Sequence, residues 1–235
     1  MKLIAFDLDG TLSQHRTPLE PSNRAFLDSL SERYRLLMVG AGECRRIYRQ
    51  MGNYPIEIIG NYGMEYAKPE GDDLTYVWRE RRSFDRAAVK EKIDTLRSRF
   101  GFTRFSGESV VFQSSGCVVF PLLGSEAELP DKLTFDPDRV KRRAILPAVR
   151  EAFPDYRVFV GGSSSFDLSP VPFDKRYALT KFCRDEGIAL SDVVYVGDDY
   201  GEGGNDEPLL DSGVSFCKIN DYRTVPEKLA FLLNP

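Results

Sequence analysis

The stretch LIAFDLDG, residues 3 to 10, constrains the fold of this chain more than any other. Its apolar residues lack the alternation of a half-solvated strand, which reads as a strand buried on both faces of a parallel sheet. Asp7 and Asp9 close the run. Residues i and i+2 of a strand point to the same side, so an extended reading puts both carboxylates on one face. Like charges a few ångströms apart oppose each other by about 4 kcal/mol at an effective dielectric of about 20. A bound cation or a shared proton offsets such a cost.

The rhythm that follows supports a parallel sheet. EPSNRAFLDSLSERY carries Phe26, Leu27, Leu30 and Tyr34 at helical spacing, RLLMVG reads as a strand, and GECRRIYRQMG as a helix closed by Gly52. IEIIGNYG and TYVWRER follow as strands. From residue 83 the pattern changes. The amphipathic helix SFDRAAVKEKIDTLRSRF precedes two strand-like runs, ESVVFQSS and CVVFPLL, that meet near Gly116. Next come a basic helix, DPDRVKRRAILPAVREAF, which Pro147 should kink or split, and one or two strands in YRVFVGGSSSFDLSP. Grouped rather than alternating strands indicate a separate α+β unit. From DKRYALTKFCRDEGI the β/α alternation returns, through the strand DVVYVGDD and the short strand VSFCKI to a final helix around EKLAFLLN. The expected organisation is an α/β parallel-sheet core from residues 1–82 and 173–235, with a cap domain inserted over residues 83–172.

Composition excludes several classes of function. A net charge of −4 argues against nucleic acid as a partner, and an anionic ligand would need local cations. No apolar run reaches the roughly 18 to 20 residues of a membrane span, and the acids inside the N-terminal apolar stretch are unlike a secretory signal. Cys44, Cys117, Cys183 and Cys217 are widely spaced, as reduced thiols of a cytoplasmic protein are. His15 is the only histidine, which rules out a multi-histidine metal site within one chain and leaves acid–base work to carboxylates.

In open α/β sheets ligands bind beyond the carboxyl ends of the strands. Asp7 and Asp9 lie at one such end, and Asp198 and Asp199 at another after DVVYVG. Carboxylate oxygens clustered without imidazole or thiolate suit a hard cation, Mg2+ first. Lys175, at the start of the helix that re-enters the core, offsets part of the charge. A cation, a lysine and a spare carboxylate around one position are what phosphoryl transfer to an aspartate requires.

DLDGT, a lone lysine and GDD in this order resemble the haloacid-dehalogenase superfamily of phosphotransferases. The resemblance implies a Rossmann-like core in which Asp7 is the nucleophile and forms an aspartyl-phosphate. It makes Asp9 the general acid–base and, through its main-chain carbonyl, a Mg2+ ligand. Asp198 completes a metal site of Asp7, Asp9 and Asp198, and Lys175 steadies the phosphoryl group. Gly10 allows the sharp turn after the strand, and Thr11 can hydrogen-bond around the nucleophile.

GGSSSFDLSPVPFDKRYAL, GDDYGEGGNDEPLL, DGTLSQHR and GNYG further resemble the eukaryotic-type phosphomannomutases, over nearly the whole chain. On that resemblance Ser165 and Asp167 reach from the cap to sugar hydroxyls, and Arg16, Gly42 and Asn205 join them around the substrate. Gly204, Asn205 and Asp206 shape the loop near the metal.

Two departures weigh against a mutase. The family has a serine at the position of Gly42, where only backbone N–H groups remain. It also has cap arginines for the substrate's distal phosphate, where this chain has Gln113 and Ser125, with Val118 replacing a polar residue. Each charge-assisted hydrogen bond contributes roughly 1.5 to 3 kcal/mol, and a mutase must hold its bisphosphate while it turns. Arg104, Arg139, Lys141, Arg142, Arg143 and Arg150 are the cap cations available instead. The expectation is therefore a Mg2+-dependent phosphohydrolase of a small phosphorylated metabolite such as a sugar phosphate. A phosphohexomutase is the alternative, and a non-catalytic metabolite-binding protein, suggested by Gly42, is a third reading. The expected partner is that metabolite, with no nucleic acid and no membrane, and a homodimer is left open.

Overall fold

A computed structural model describes residues 1–233 and divides them into two compact units. The first holds residues 1–79, 174–201 and 206–233, and the second Glu80–Phe173 with Glu202–Asn205.

The first unit is built on seven strands in the order β11-β10-β1-β2-β3-β4-β5. β1 (Leu3–Phe6) lies between β2 (Arg35–Val39) and β10 (Val193–Gly197), parallel to both. β3 (Glu57–Gly60) and β11 (Ser215–Lys218) extend the parallel part on either side. All four residues of β1 are fully buried, so the apolar opening run is the centre of the sheet. Ile4 and Phe6 join the core cluster that includes Phe26, Leu27 and Leu30 of α1 (Pro21–Ser31). Leu3 and Ala5 join the cluster that includes Leu179 and Phe182 of α6 (Lys175–Asp185).

Beyond β3 the β/α rhythm read from the sequence gives way. β4 (Glu65–Glu70) and β5 (Asp73–Arg79) form an antiparallel hairpin on β3. EYAKPE escapes a periodicity reading because charges and Pro69 interrupt it. Its pairing comes instead from the Gly71 turn, where φ is +61°. The C-terminal region is also shorter in regular structure than expected: α7 covers only Val225–Lys228, flanked by single 3-10 turns.

The second unit has four antiparallel strands in the order β6-β7-β9-β8 (Val111–Phe112, Val118–Pro121, Ser165–Pro170, Tyr156–Phe159). Its other elements are the helices α3 (Arg86–Phe100), α4 (Leu129–Phe135) and α5 (Val140–Ala152). Asp85 caps α3 by accepting hydrogen bonds from the Ala87 and Ala88 amides. Val89, Ile93, Ile145, Leu146, Val149, Phe120 and Phe166 share one apolar core. α5 begins four residues later than its sequence pattern and is not split by Pro147, which lies inside it. Arg139, at φ +62°, separates α5 from α4, an element without a buried residue and so without a hydrophobic stripe to read. No helix among the described residues is long and apolar enough to cross a membrane.

Candidate active site

The site forms where β1, β2 and β10 end. α2 (Cys44–Gln50) follows β2 and supplies one wall. Asp7 directly follows β1 and is 6% exposed. Lys175 opens α6, just after Asp174, whose carboxylate accepts the Tyr177 amide at 2.7 Å. A helix N-terminus is an unfavourable place for a cation, and Lys175 is fully buried there. It is held by two carboxylates: its ammonium lies 2.9 Å from Asp7 Oδ1 and 2.7 Å from Asp206 Oδ1. Asp206 is fixed in turn by the Tyr195 hydroxyl at 2.5 Å and by the Asp199 amide at 3.0 Å.

Asp7, Asp198 and Asp206 converge, each offering an oxygen within 4.8 Å of the others. One lysine among three carboxylates leaves negative charge uncompensated. Burial, reinforced by Asp206 and Asp198, therefore pushes the Asp7 carboxyl up to about 8 in spite of Lys175. Burial and Asp206 likewise raise Asp198. A purely oxygen donor set with surplus negative charge fits a hard divalent cation such as Mg2+. Asp206 already accepts three hydrogen bonds, so Asp7 and Asp198 are the carboxylates best placed to hold it. Gly10 is required beside them. Its φ is +99°, and a Cβ there would come within 2.4 Å of the Asp198 carboxylate.

Asp9 is where the strand reading fails. β1 ends at Phe6, so the i, i+2 rule does not reach Asp7 and Asp9, and the Asp9 carboxylate is not one of the three that converge. It has its own set of donors instead. Oδ1 accepts the Arg16 amide at 2.7 Å and Gln50 Nε2 at 2.7 Å, and Arg46 Nη1 lies 3.4 Å from Oδ2. Although burial opposes ionisation, Arg46, Gln50 and the Arg16 amide hold the Asp9 carboxyl below its usual range. A metal ligand from Asp9 would have to be its main-chain carbonyl, as the resemblance implies. Arg16 meets the site through its backbone N–H, presented at φ +58°. Thr11 donates to Asp198 Oδ1 at 2.8 Å, so it orders a metal-site carboxylate rather than the nucleophile.

The remaining expected residues belong to the second unit. Ser165 and Asp167 share one face of β9, and the Asp167 carboxylate packs over Gly161, where a Cβ would approach it to 2.3 Å. Asn205 is buried immediately before Asp206 in sequence. Arg142 is not an available cation. It is 1% exposed, pairs with Asp136 at 2.8 Å, and donates to the Gly161, Gly162 and Ser165 carbonyls. Val118 lies in the apolar core, and Ser125 Oγ accepts the Glu108 amide.

Sequence reasoning placed Asp206 in a loop near the metal, by resemblance. It missed Asp206 and Tyr195 as the anchor of Lys175, and Gln50 and Arg46 as partners of Asp9. The acid of GGND was visible; its lysine partner depends on tertiary geometry.

The chain is similar to known proteins in sequence and in fold. The family profile of eukaryotic phosphomannomutase matches residues 106–218. The phosphomannomutase of Encephalitozoon cuniculi is 27% identical over 252 residues, covering 97% of this chain and 93% of its own. Human phosphomannomutase 1 is 24% identical over 221 residues, covering 87% and 81%. The chain is similar in sequence to the phosphomannomutases over nearly its whole length. Solved structures share its fold. A haloacid-dehalogenase-like hydrolase from B. subtilis superposes with a TM-score of 0.65 at 15% identity, over 100% of this chain and 99% of that one. The Plasmodium falciparum IMP-nucleotidase superposes at 0.69 and 14% identity, over 100% and 68%.

Proposed function

We propose that this enzyme is a Mg2+-dependent phosphohexomutase that moves a phosphoryl group between hydroxyls of a hexose by way of Asp7. The observation that carries phosphoryl transfer is the separation of two carboxylate environments. Asp7 is buried against Lys175 in a pocket with surplus negative charge, whereas Asp9 is held ionised by its own donors. A carboxylate oxygen of Asp7 attacks phosphorus as the bond to the sugar oxygen breaks, and Asp9 gives that oxygen the proton that it took up in the other half-reaction. In the return step the ionised Asp9 takes the proton of the other hydroxyl, which attacks the aspartyl-phosphate and frees Asp7. Asp7 and Asp198 would hold Mg2+, which would supply charge neutralisation when bound, and Lys175 adds its own positive charge beside Asp7. Ser165 and Asp167 are proposed to bind sugar hydroxyls.

The phosphomannomutase relatives support the mutase over the hydrolase that the sequence alone put first. Hydrolysis stays as the second reading for a specific reason. Arg142 is locked in a buried pair and Gln113 is neutral, which weakens the case for a grip on a second phosphate. The test supplies mannose 1-phosphate with a hexose 1,6-bisphosphate and follows mannose 6-phosphate and free phosphate together. Conversion faster than phosphate release is the expected result. Phosphate release without conversion would make the enzyme a phosphatase.

A further inference from the structure

Gly42 closes the loop after β2 at the same edge of the sheet as Asp7, and its missing side chain leaves room that another residue fills. A Cβ at position 42 would lie 2.1 Å from Arg46 Nη2 and 2.4 Å from Arg46 Nε. The guanidinium of Arg46 therefore occupies the place where a side chain at 42 would stand. Arg46 lies one turn further along, on α2, and Gln50 Oε1 steadies its Nη1 at 2.7 Å. The same nitrogen lies 3.4 Å from Asp9 Oδ2. This is a loose ion pair, and the Arg46 side chain is 41% exposed. Five N–H donors on a planar fork are thus set beside the acid–base residue with most of their hydrogen-bonding capacity unspent.

We propose that Arg46 is a substrate-binding residue of the phosphoryl site, donating to a non-bridging oxygen of the transferring group in the space that Gly42 leaves open. The assignment rests on the phosphoryl-transfer reading and adds to it a cation besides Lys175. It also explains why a glycine at 42 does not leave the site short of donors: the donor comes from the helix instead of the loop. Guanidinium geometry favours two-point contact with phosphate oxygens, which an ammonium cannot reproduce.

The experiment measures inorganic phosphate binding by calorimetry at saturating Mg2+, with kcat and KM alongside, for wild type, Arg46→Met and Arg46→Lys. A charge-assisted hydrogen bond of roughly 1.5 to 3 kcal/mol corresponds to a loss of about ten- to hundredfold in affinity. Arg46→Met should show that loss with Mg2+ affinity in the absence of phosphate unchanged, and Arg46→Lys should recover part of it. Gly42→Ala keeps the guanidinium but displaces it, so it should weaken phosphate binding even if Arg46→Met proves unstable. Full-strength phosphate binding in Arg46→Met and Gly42→Ala, with wild type binding normally, overturns the Arg46 assignment alone. Absence of phosphate binding in wild type overturns the phosphoryl-transfer reading and this assignment with it.

Discussion

Lys175 lies between Asp7 and Asp206, 2.9 Å from one carboxylate and 2.7 Å from the other, with no exposure to solvent. This relationship ties the N-terminal strand to the C-terminal loop. Asp206→Asn keeps the shape of the anchor and removes its charge, so Lys175 should turn toward Asp7 and blunt it as a nucleophile. The expected loss in kcat is about ten- to hundredfold, the equivalent of one charge-assisted hydrogen bond. Steady-state kinetics at saturating Mg2+ check it, and unchanged kcat would show that Asp206 only fills space.

The surplus negative charge at Asp7 has a consequence for pH. With Asp7 raised to about 8 in the cation-free fold, the folded chain binds a proton that the unfolded chain releases near 4. That contribution to stability is present below about pH 4 and is lost as pH rises through about 8. Melting in EDTA should therefore show a component that falls from pH 5 to 8. Stabilisation by Mg2+ should grow over the same interval, because the cation replaces the proton. A Mg2+ effect independent of pH would contradict the site's electrostatics.

Gly10→Ala combines a strained φ with a Cβ 2.4 Å from the Asp198 carboxylate. Backbone strain of this kind costs about 1 to 3 kcal/mol, and the displaced carboxylate should also lower Mg2+ affinity. Calorimetry and thermal melts measure the two effects separately. Wild-type Mg2+ binding in the variant would mean that Asp198 is not a ligand.

In the second unit, Arg142→Met leaves Asp136 buried without its partner. Removing one member of such a pair costs about 3 to 5 kcal/mol, so the variant should melt early. An effect on KM with unchanged stability would instead make Arg142 a substrate ligand.

Much of the site was legible because its residues stand at sequence-determined ends of strands. Asp7, Asp198 and Lys175 follow directly from a buried apolar run, a second such run and a helix start. Asp9 was legible as a carboxylate but not in its setting, since a strand rule was extended past Phe6, where the strand stops. The β4–β5 hairpin was hidden by Pro69 and by charges on an edge. Arg142 read as a cap cation available to the substrate because a basic helix pattern does not reveal its buried partner Asp136. Arg46 was hidden for a related reason: what it does depends on a side chain that Gly42 lacks.

The central claim is that Asp7 carries the phosphoryl group, and trapping it is the most direct test. Enzyme mixed with Mg2+ and a hexose 1,6-bisphosphate is quenched in acid within the first turnover, digested and mapped by mass spectrometry. The account requires a phosphoryl adduct on the peptide containing Asp7, none in Asp7→Asn, and a loss in that variant of at least about a hundredfold in turnover. Turnover in Asp7→Asn near the wild-type rate, or an adduct on another residue, would contradict it.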